Sequence, residues 1–162
     1  MTFEAPYHTP ARDLDPAWFD YNGHLNMAYY NVLFDQALDH LFDAFGCGPA
    51  YRETRNLSFF AAEAHVCYVR ELKPGSMVSA TVQLIDHDAK RIHLYQELHH
   101  ADGWLAATSE SLHLHVDMAG PKVAAMPDDV MARLAAMARS HGALPLPERA
   151  GRSISIIRKA KG

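Results

Sequence analysis

The stretch WFDYNGHLNMAYYNVLFDQALDHLF, Trp18 to Phe42, changes character partway along. Its first part crowds an acid, two amides, a glycine and an imidazole together: Asp20, Asn22, Gly23, His24 and Asn26. From Met27 onward the pattern is apolar. Tyr30, Phe34, Ala37, Leu38, Leu41 and Phe45 recur three or four positions apart, and Leu33 and Phe42 widen the stripe. That spacing predicts a long helix, apolar nearly all round and deeply buried. Asn26 stands where its side chain can cap the first turn. Gly46, Gly48 and Pro49 supply a stop, because glycine tolerates the left-handed C-cap and proline cannot continue the hydrogen-bond ladder.

From about Ser58, after this helix, the chain alternates with period two. Phe60, Ala62, Ala64, Val66, Tyr68 and Leu72 alternate with Glu63, His65 and Glu71, which predicts a strand with one face on a core. Lys73-Pro74-Gly75 reads as a turn. Val78, Ala80, Val82 and Leu84 form a second such face, and Ile92, Leu94 and Leu98 a third. After the turn HADG, Ala106, Thr108, Leu112, Leu114 and Val116 face one way, with Ser109, Ser111, His113, His115 and Asp117 facing the other. A short strand is expected between Tyr7 and Leu14. An amphipathic helix is expected over about 127–141, with proline and acids at its start. The basic end, 151–162, reads as a frayed tail or a subunit-contact strand. Strands joined by tight turns pair antiparallel, and a helix this apolar has to be wrapped by their sheet. The expectation is one α+β domain over 1–162, an antiparallel sheet around a central helix, with its core at about 7–127.

Composition narrows the function classes. The chain has 162 residues, 49% of them hydrophobic, enough for one sizeable core. Fifteen basic against nineteen acidic residues give a net charge of -4, without the electrostatic footprint of a nucleic-acid binder. No apolar run approaches the ~18 residues of a membrane span, and the start lacks a secretory pattern. Two cysteines, Cys47 and Cys67, are too few for a disulfide framework. A soluble, cytoplasmic protein is expected, without nucleic-acid or membrane partners.

The run Asp20-Tyr21-Asn22-Gly23-His24-Leu25-Asn26 resembles the signature of hotdog-fold acyl-CoA thioesterases of the 4-hydroxybenzoyl-CoA thioesterase type. LKPGSMV, Leu72 to Val78, resembles that family's turn between strands, and the order of elements matches from about Tyr7 to Pro127. EAHVCYVREL, DHDAKRIHLYQEL and LHLHVD are similar to the betainyl-CoA thioesterases of carnitine breakdown, which are sometimes fused to a carnitine dehydrogenase. The resemblance implies hydrolysis of a short acyl-CoA, best matched by betainyl-CoA. It also implies a homodimer or dimer of dimers with active sites at the subunit interface, and no cofactor.

Thioester hydrolysis needs a base or nucleophile for the carbonyl carbon and donors for the oxygen that gains charge. Asp20 is the candidate for the first role, and the free N–H groups of the first helical turn for the second. Gly23 would let the backbone approach the substrate, while His24 and Asn26 are candidate donors that the resemblance places at the pocket. Each residue also has a plain structural reading. Asp20 can close an Asx-turn, Asn26 can cap the helix, and His24 can anchor the loop.

Glu63 and Glu110 are further pocket candidates. Glu110 shares the parity of Leu112 and Leu114, so it should be partnered or face a cavity. If the acyl group is a quaternary ammonium, aromatic faces are needed, and Trp18, Tyr21, Tyr29 and Tyr30 cluster around the motif. Lys90 and Arg91 could meet coenzyme phosphates, although solvated turn cations look the same. Strand histidines such as His113 and His115 invite a metal. They come without the H-E-x-x-H or Cys/His pattern that would support one, and the expectation is solvated or hydrogen-bonded neighbours. Two alternatives share this architecture: a hotdog enoyl-CoA hydratase or dehydratase, and a non-catalytic acyl-CoA sensor.

Overall fold

The computed structural model describes residues 2–156 and residue 158. The far end of the expected basic tail, at 157 and 159–162, lies outside the described residues. The central helix, α1, spans Met27–Ala44, and Asn26 caps it through its side-chain oxygen, which accepts the N–H of Ala28. Seven antiparallel strands form one sheet: β1 (Tyr7–His8), β2 (Arg12–Asp13), β3 (Leu57–Tyr68), β4 (Met77–His87), β5 (Arg91–His100), β6 (Leu105–Asp117) and β7 (Lys122–Val123). The order is β1-β4-β5-β6-β3, with β2 also on β4 and β7 on β6. Two further helices are α2 (Pro49–Arg55) and α3 (Asp128–His141). This is the hotdog architecture, a long helix lying against an antiparallel sheet.

The core forms where α1 meets the sheet. Leu33, Phe34, Ala37, Leu38 and Leu41 are buried with Val78, Val82, Leu84, Ile92, Leu94 and Leu98. Each such large side chain contributes about 1.5–3 kcal/mol relative to exposure. One buried polar group fixes the helix on the sheet: Gln96, 1% exposed, donates from Nε2 to the carbonyl of Phe34 at 2.8 Å. α3 adds Val130, Leu134 and Met137 to this core.

Several sequence expectations are corrected. α1 is not apolar all round, because Asn31, Asp35, Asp39, His40 and Asp43 are exposed, leaving one face of the helix uncovered by its own sheet. Pro49 ends nothing beyond α1; it is the first residue of α2, which the sequence reading missed, since proline is as suited to a first helical position as to a stop. The expected strand at Tyr7–Leu14 is two two-residue pairings on β4.

β3 carries a register shift between Ala61 and Glu63, so its alternation inverts there. Phe59 therefore packs on the core while Phe60 is 44% exposed, the reverse of the uninterrupted pattern, and Tyr68 is 48% exposed. β6 buries Ala106, Thr108 and Val116 as expected but is turned over from Ser111 to His115. His113 and His115, at 4% and 0% exposure, point into the structure, and Leu112 and Leu114 lie half-buried on the other face. His115 is satisfied at both nitrogens, by the Tyr51 hydroxyl at 2.7 Å and the Ala124 carbonyl at 2.9 Å. An imidazole paired at both nitrogens costs little to bury, which is how a histidine comes to occupy a core position.

Candidate active site

The loop before α1 is built by its own hydrogen bonds. Phe19 and Leu25 form an antiparallel bridge, the N–H of Asp20 donates to the carbonyl of His24 at 2.9 Å, and the N–H of Gly23 returns to the carbonyl of Asp20 at 3.0 Å. Gly23 adopts φ +73°, a left-handed conformation that costs other residues more than glycine. Two outward ties hold the loop in place: Leu25 N–H to Leu72 O at 3.1 Å, and Asn26 N–H to Trp18 O at 3.0 Å.

Asp20 is half-buried, and its Oδ1 accepts the N–H groups of Asn22 at 2.8 Å and His24 at 3.2 Å. The Asx-turn is therefore real, and it commits one carboxylate oxygen; Oδ2 takes no part in those bonds. His24 reaches Glu71 from Nε2 at 3.1 Å. Asn26 is the helix cap, and its carbonyl also takes the N–H of Tyr29. Most N–H groups from Asn22 to Tyr29 are consequently spoken for. Among the described residues the N–H of Met27 has no acceptor, and it sits at the positive end of the helix dipole.

A cavity of about 400 Å³ opens beside this point, bordered by His24, Met27, Tyr30, Tyr68 and Glu71. It shares Val69, Arg70 and Glu71 with a neighbouring cavity of about 630 Å³ that contains Lys73, His100 and Trp104. There Trp104 stacks on His100 at 4.5 Å, and the Arg70 guanidinium lies 4.2 Å from the Trp104 ring centre.

The remaining sequence candidates fall elsewhere. Trp18 stacks on Tyr29 with ring centres 5.1 Å apart, and its ring already carries the Arg12 guanidinium at 5.3 Å. Tyr21 is 97% exposed. Tyr30 is buried, its hydroxyl accepting the N–H of Leu72 at 3.2 Å, and Tyr68 meets it edge-on. Burial raises the Tyr30 hydroxyl above its ordinary value, so it stays protonated.

Glu63 and Glu110 lie away from the loop, bordering a cavity of about 350 Å³ with His65, His93 and Arg152. Glu110 is partnered there: His93 Nε2 lies 2.7 Å from Oε1, and the N–H of Gly151 donates to Oε2 at 2.7 Å. Arg91 is paired with Asp88, whose carboxyl it holds at about 2, while Lys90 is exposed.

Sequence reasoning missed one cavity, of about 540 Å³, between the C-terminal half of α1 and the start of β3. Its walls include Asp35, Asp39, Phe42, Phe59 and His113. Burial pushes the His113 imidazole down to about 4, leaving it neutral, and raises the Asp39 carboxyl with help from neighbouring Asp35. Cys47 also borders it, with its thiol pushed up to about 11 by burial, so it is no thiolate nucleophile at neutral pH. The i, i+4 carboxylates Asp35 and Asp39, set beside the apolar stripe of α1, are the signal the sequence carries for it.

Among the described residues, no group of three His, Cys, Asp or Glu side chains stands where it could hold a metal ion, and no helix is long and apolar enough to cross a membrane. Both cysteines are free.

Comparison with known proteins places this geometry. Residues 14–134 match the thioesterase-like superfamily. The chain is 39% identical over 151 residues to a betainyl-CoA thioesterase of Pseudomonas aeruginosa, covering 93% of each. It is 37% identical over 142 residues to an L-carnitine dehydrogenase/betainyl-CoA thioesterase of Rhizobium meliloti, covering 28% of that longer protein. A Staphylococcus aureus protein solved in complex with CoA superimposes with a TM-score of 0.88 at 25% identity, covering 97% of this chain and 99% of that one. A candidate thioesterase of Pseudomonas putida superimposes with a TM-score of 0.82 at 32% identity, covering 96% and 99%. From its sequence match over most of its length, and from the helix-on-sheet fold that carries the Asp20 loop, the chain belongs to the thioesterase-like superfamily and is a hotdog-fold acyl-CoA thioesterase.

Proposed function

We propose that the protein hydrolyses betainyl-CoA, with Asp20 as base or nucleophile and the start of α1 as the oxyanion site. The observation that carries the substrate choice is the 39% identity to a betainyl-CoA thioesterase across nearly the whole of both chains. The CoA complex of the similar Staphylococcus aureus protein supports a CoA-linked ligand.

In this reading the thioester carbonyl lies against the open N–H of Met27, where the helix dipole favours developing negative charge. Asp20 approaches from the loop. Its Oδ1 is anchored by two backbone N–H groups, so Oδ2 is the free oxygen: it attacks the carbonyl carbon and expels the CoA thiolate, leaving an acyl-aspartate anhydride for water to cleave, or it takes a proton from a water that attacks as the C–S bond breaks. The anchoring sets the carboxylate's direction before substrate arrives, which is worth more than adding a second free rotor. His24, held by Glu71, and the α1 cap Asn26 keep that loop in register. No metal and no cofactor are required.

Among the described residues β3 has only β6 as a neighbour, which leaves one long edge of the sheet open. Such an edge is usually paired or covered, and a second copy joining it antiparallel gives a homodimer with two equivalent sites.

The test is thiol release from a panel of acyl-CoAs that includes betainyl-, acetyl-, aromatic and long-chain substrates. The highest kcat/KM is expected for betainyl-CoA. Efficient turnover of another acyl-CoA with none of betainyl-CoA would overturn the substrate assignment, and tight binding without any turnover would make the protein a sensor.

A further inference from the structure

The cavity between α1 and β3 has a composition that the chemistry at Asp20 does not use. Three carboxylates, Asp35, Asp39 and Asp43, border it, and none joins an ion pair among the described residues. Arg52, also on the wall, is turned to the Asn56 side chain at 2.7 Å. Beside the acids, Phe42 and Phe59 stack with ring centres 5.1 Å apart, and His113 meets Phe42 edge-on at 5.9 Å.

His113, 4% exposed, closes the inner wall of the cavity beside these rings, with Nε2 paired to the Ser111 hydroxyl at 3.0 Å.

Aromatic faces and carboxylates together suit one kind of guest, an organic cation without N–H groups. Such a cation is attracted by ring quadrupoles and by charge, and it asks for no hydrogen-bond acceptor. Of the aromatic cluster expected from the sequence, Trp18 already carries Arg12 on its face and Tyr21 is in solvent. Building on the betainyl-CoA reading, we propose that the cavity walled by Asp35, Asp39, Phe42 and Phe59 seats the quaternary ammonium of the acyl group and presents the thioester to the Asp20 loop of a second copy of the chain.

The second copy is required by distance. One methylene separates the cation from the carbonyl carbon in betainyl-CoA, whereas Asp35 lies ~12 Å along α1 from Met27 at the helical rise per residue. The acyl group cannot bridge that span within one chain. Two sheets joined antiparallel at their β3 edges run in opposite directions, which brings the start of one α1 toward the far half of the other. The uncovered face of α1 that bears Asp35 and Asp39 is then the wall that the second copy closes.

The test compares kcat/KM for betainyl-CoA and for its neutral isostere, 3,3-dimethylbutanoyl-CoA, in wild type, Asp35→Asn, Asp39→Asn and Phe59→Leu. Asp35 comes first because its charge is the one that reaches His113. The betainyl-to-neutral ratio should fall at least ~10-fold in Asp35→Asn, an effect the size expected for removing one close charge. A ratio unchanged in all three variants, or equal losses on both substrates, would overturn the proposal in favour of a structural wall. Failure of the underlying function reads differently, since wild type itself would then not turn over betainyl-CoA.

A mixing experiment tests the second copy. Subunits carrying Asp20→Asn and Asp35→Asn are co-refolded, so a mixed dimer holds one site with both wild-type residues. Recovery of roughly a quarter of wild-type betainyl-CoA turnover is expected from random pairing. Turnover no higher than the average of the two parents would overturn the shared site.

Discussion

Asp20 Oδ1 accepts the backbone N–H of His24 at 3.2 Å, so the side chain proposed to attack the substrate also holds together the loop that carries it. The two roles can be separated by substitution, because an amide keeps the acceptor and loses the charge.

Asp20→Asn should therefore fold normally and lose at least ~100-fold in kcat, as expected for removal of a base or nucleophile. Asp20→Ala should lose the same activity and, in addition, about 1 kcal/mol of stability with the turn. Thiol-release kinetics beside urea unfolding of both variants checks this. Full activity in Asp20→Asn would remove the residue from the mechanism.

Gly23→Ala isolates backbone conformation from crowding. At φ +73° an added Cβ would meet nothing within 4 Å, so the whole cost is conformational, about 1–2 kcal/mol. Activity should fall together with stability as the loop relaxes. A variant as stable as wild type would show that the loop adopts another conformation in solution.

Acid should destabilise the protein through His113. Its ring is held down to about 4 by burial, against 6.5 as the ordinary value. Near neutral pH the imidazole is uncharged in both folded and unfolded chains. As pH falls below about 6.5 the unfolded chain takes up a proton that the buried ring refuses until about 4, so stability drops across that window and then levels. The loss is on the order of 3 kcal/mol. His141, also lowered by burial and accepting the N–H of Leu84 on Nδ1, acts with the same sign. Urea midpoints between pH 4 and 7 should show a shallower slope in His113→Leu than in wild type, and equal slopes would refute the assignment.

Glu110 ties the segment after α3 to the sheet through the N–H of Gly151. In Glu110→Ala, amide exchange at Gly151 should speed up at least ~10-fold while the interior of β6 keeps its protection. Unchanged exchange would place the tie elsewhere.

The sequence by itself determined the helix and the loop in front of it. Asn26, the three-and-four spacing after Met27, and Gly23 act through contacts with near neighbours in the chain, so their consequences can be read locally. β4 and β5 were legible for the same reason, each being an unbroken alternation from Val78 to Leu84 and from Ile92 to Leu98.

Tertiary structure alone decided which faces turn inward where alternation fails. The register shift at Ala61 and Glu63 sends Phe59 to the core and Phe60 to solvent, a choice set by pairing with β6 and not by either phenylalanine. His113 and His115 could go inward only because Ser111, Tyr51 and Ala124 meet them there, and those partners come from β6 itself, from α2 and from the segment after β7. The same holds for the cavity bordered by Asp35 and Asp39. Acids on an exposed helix face read as solvated until the start of β3 comes to lie beside them and makes them one wall of a cavity, which is a property of elements brought together from distant parts of the chain.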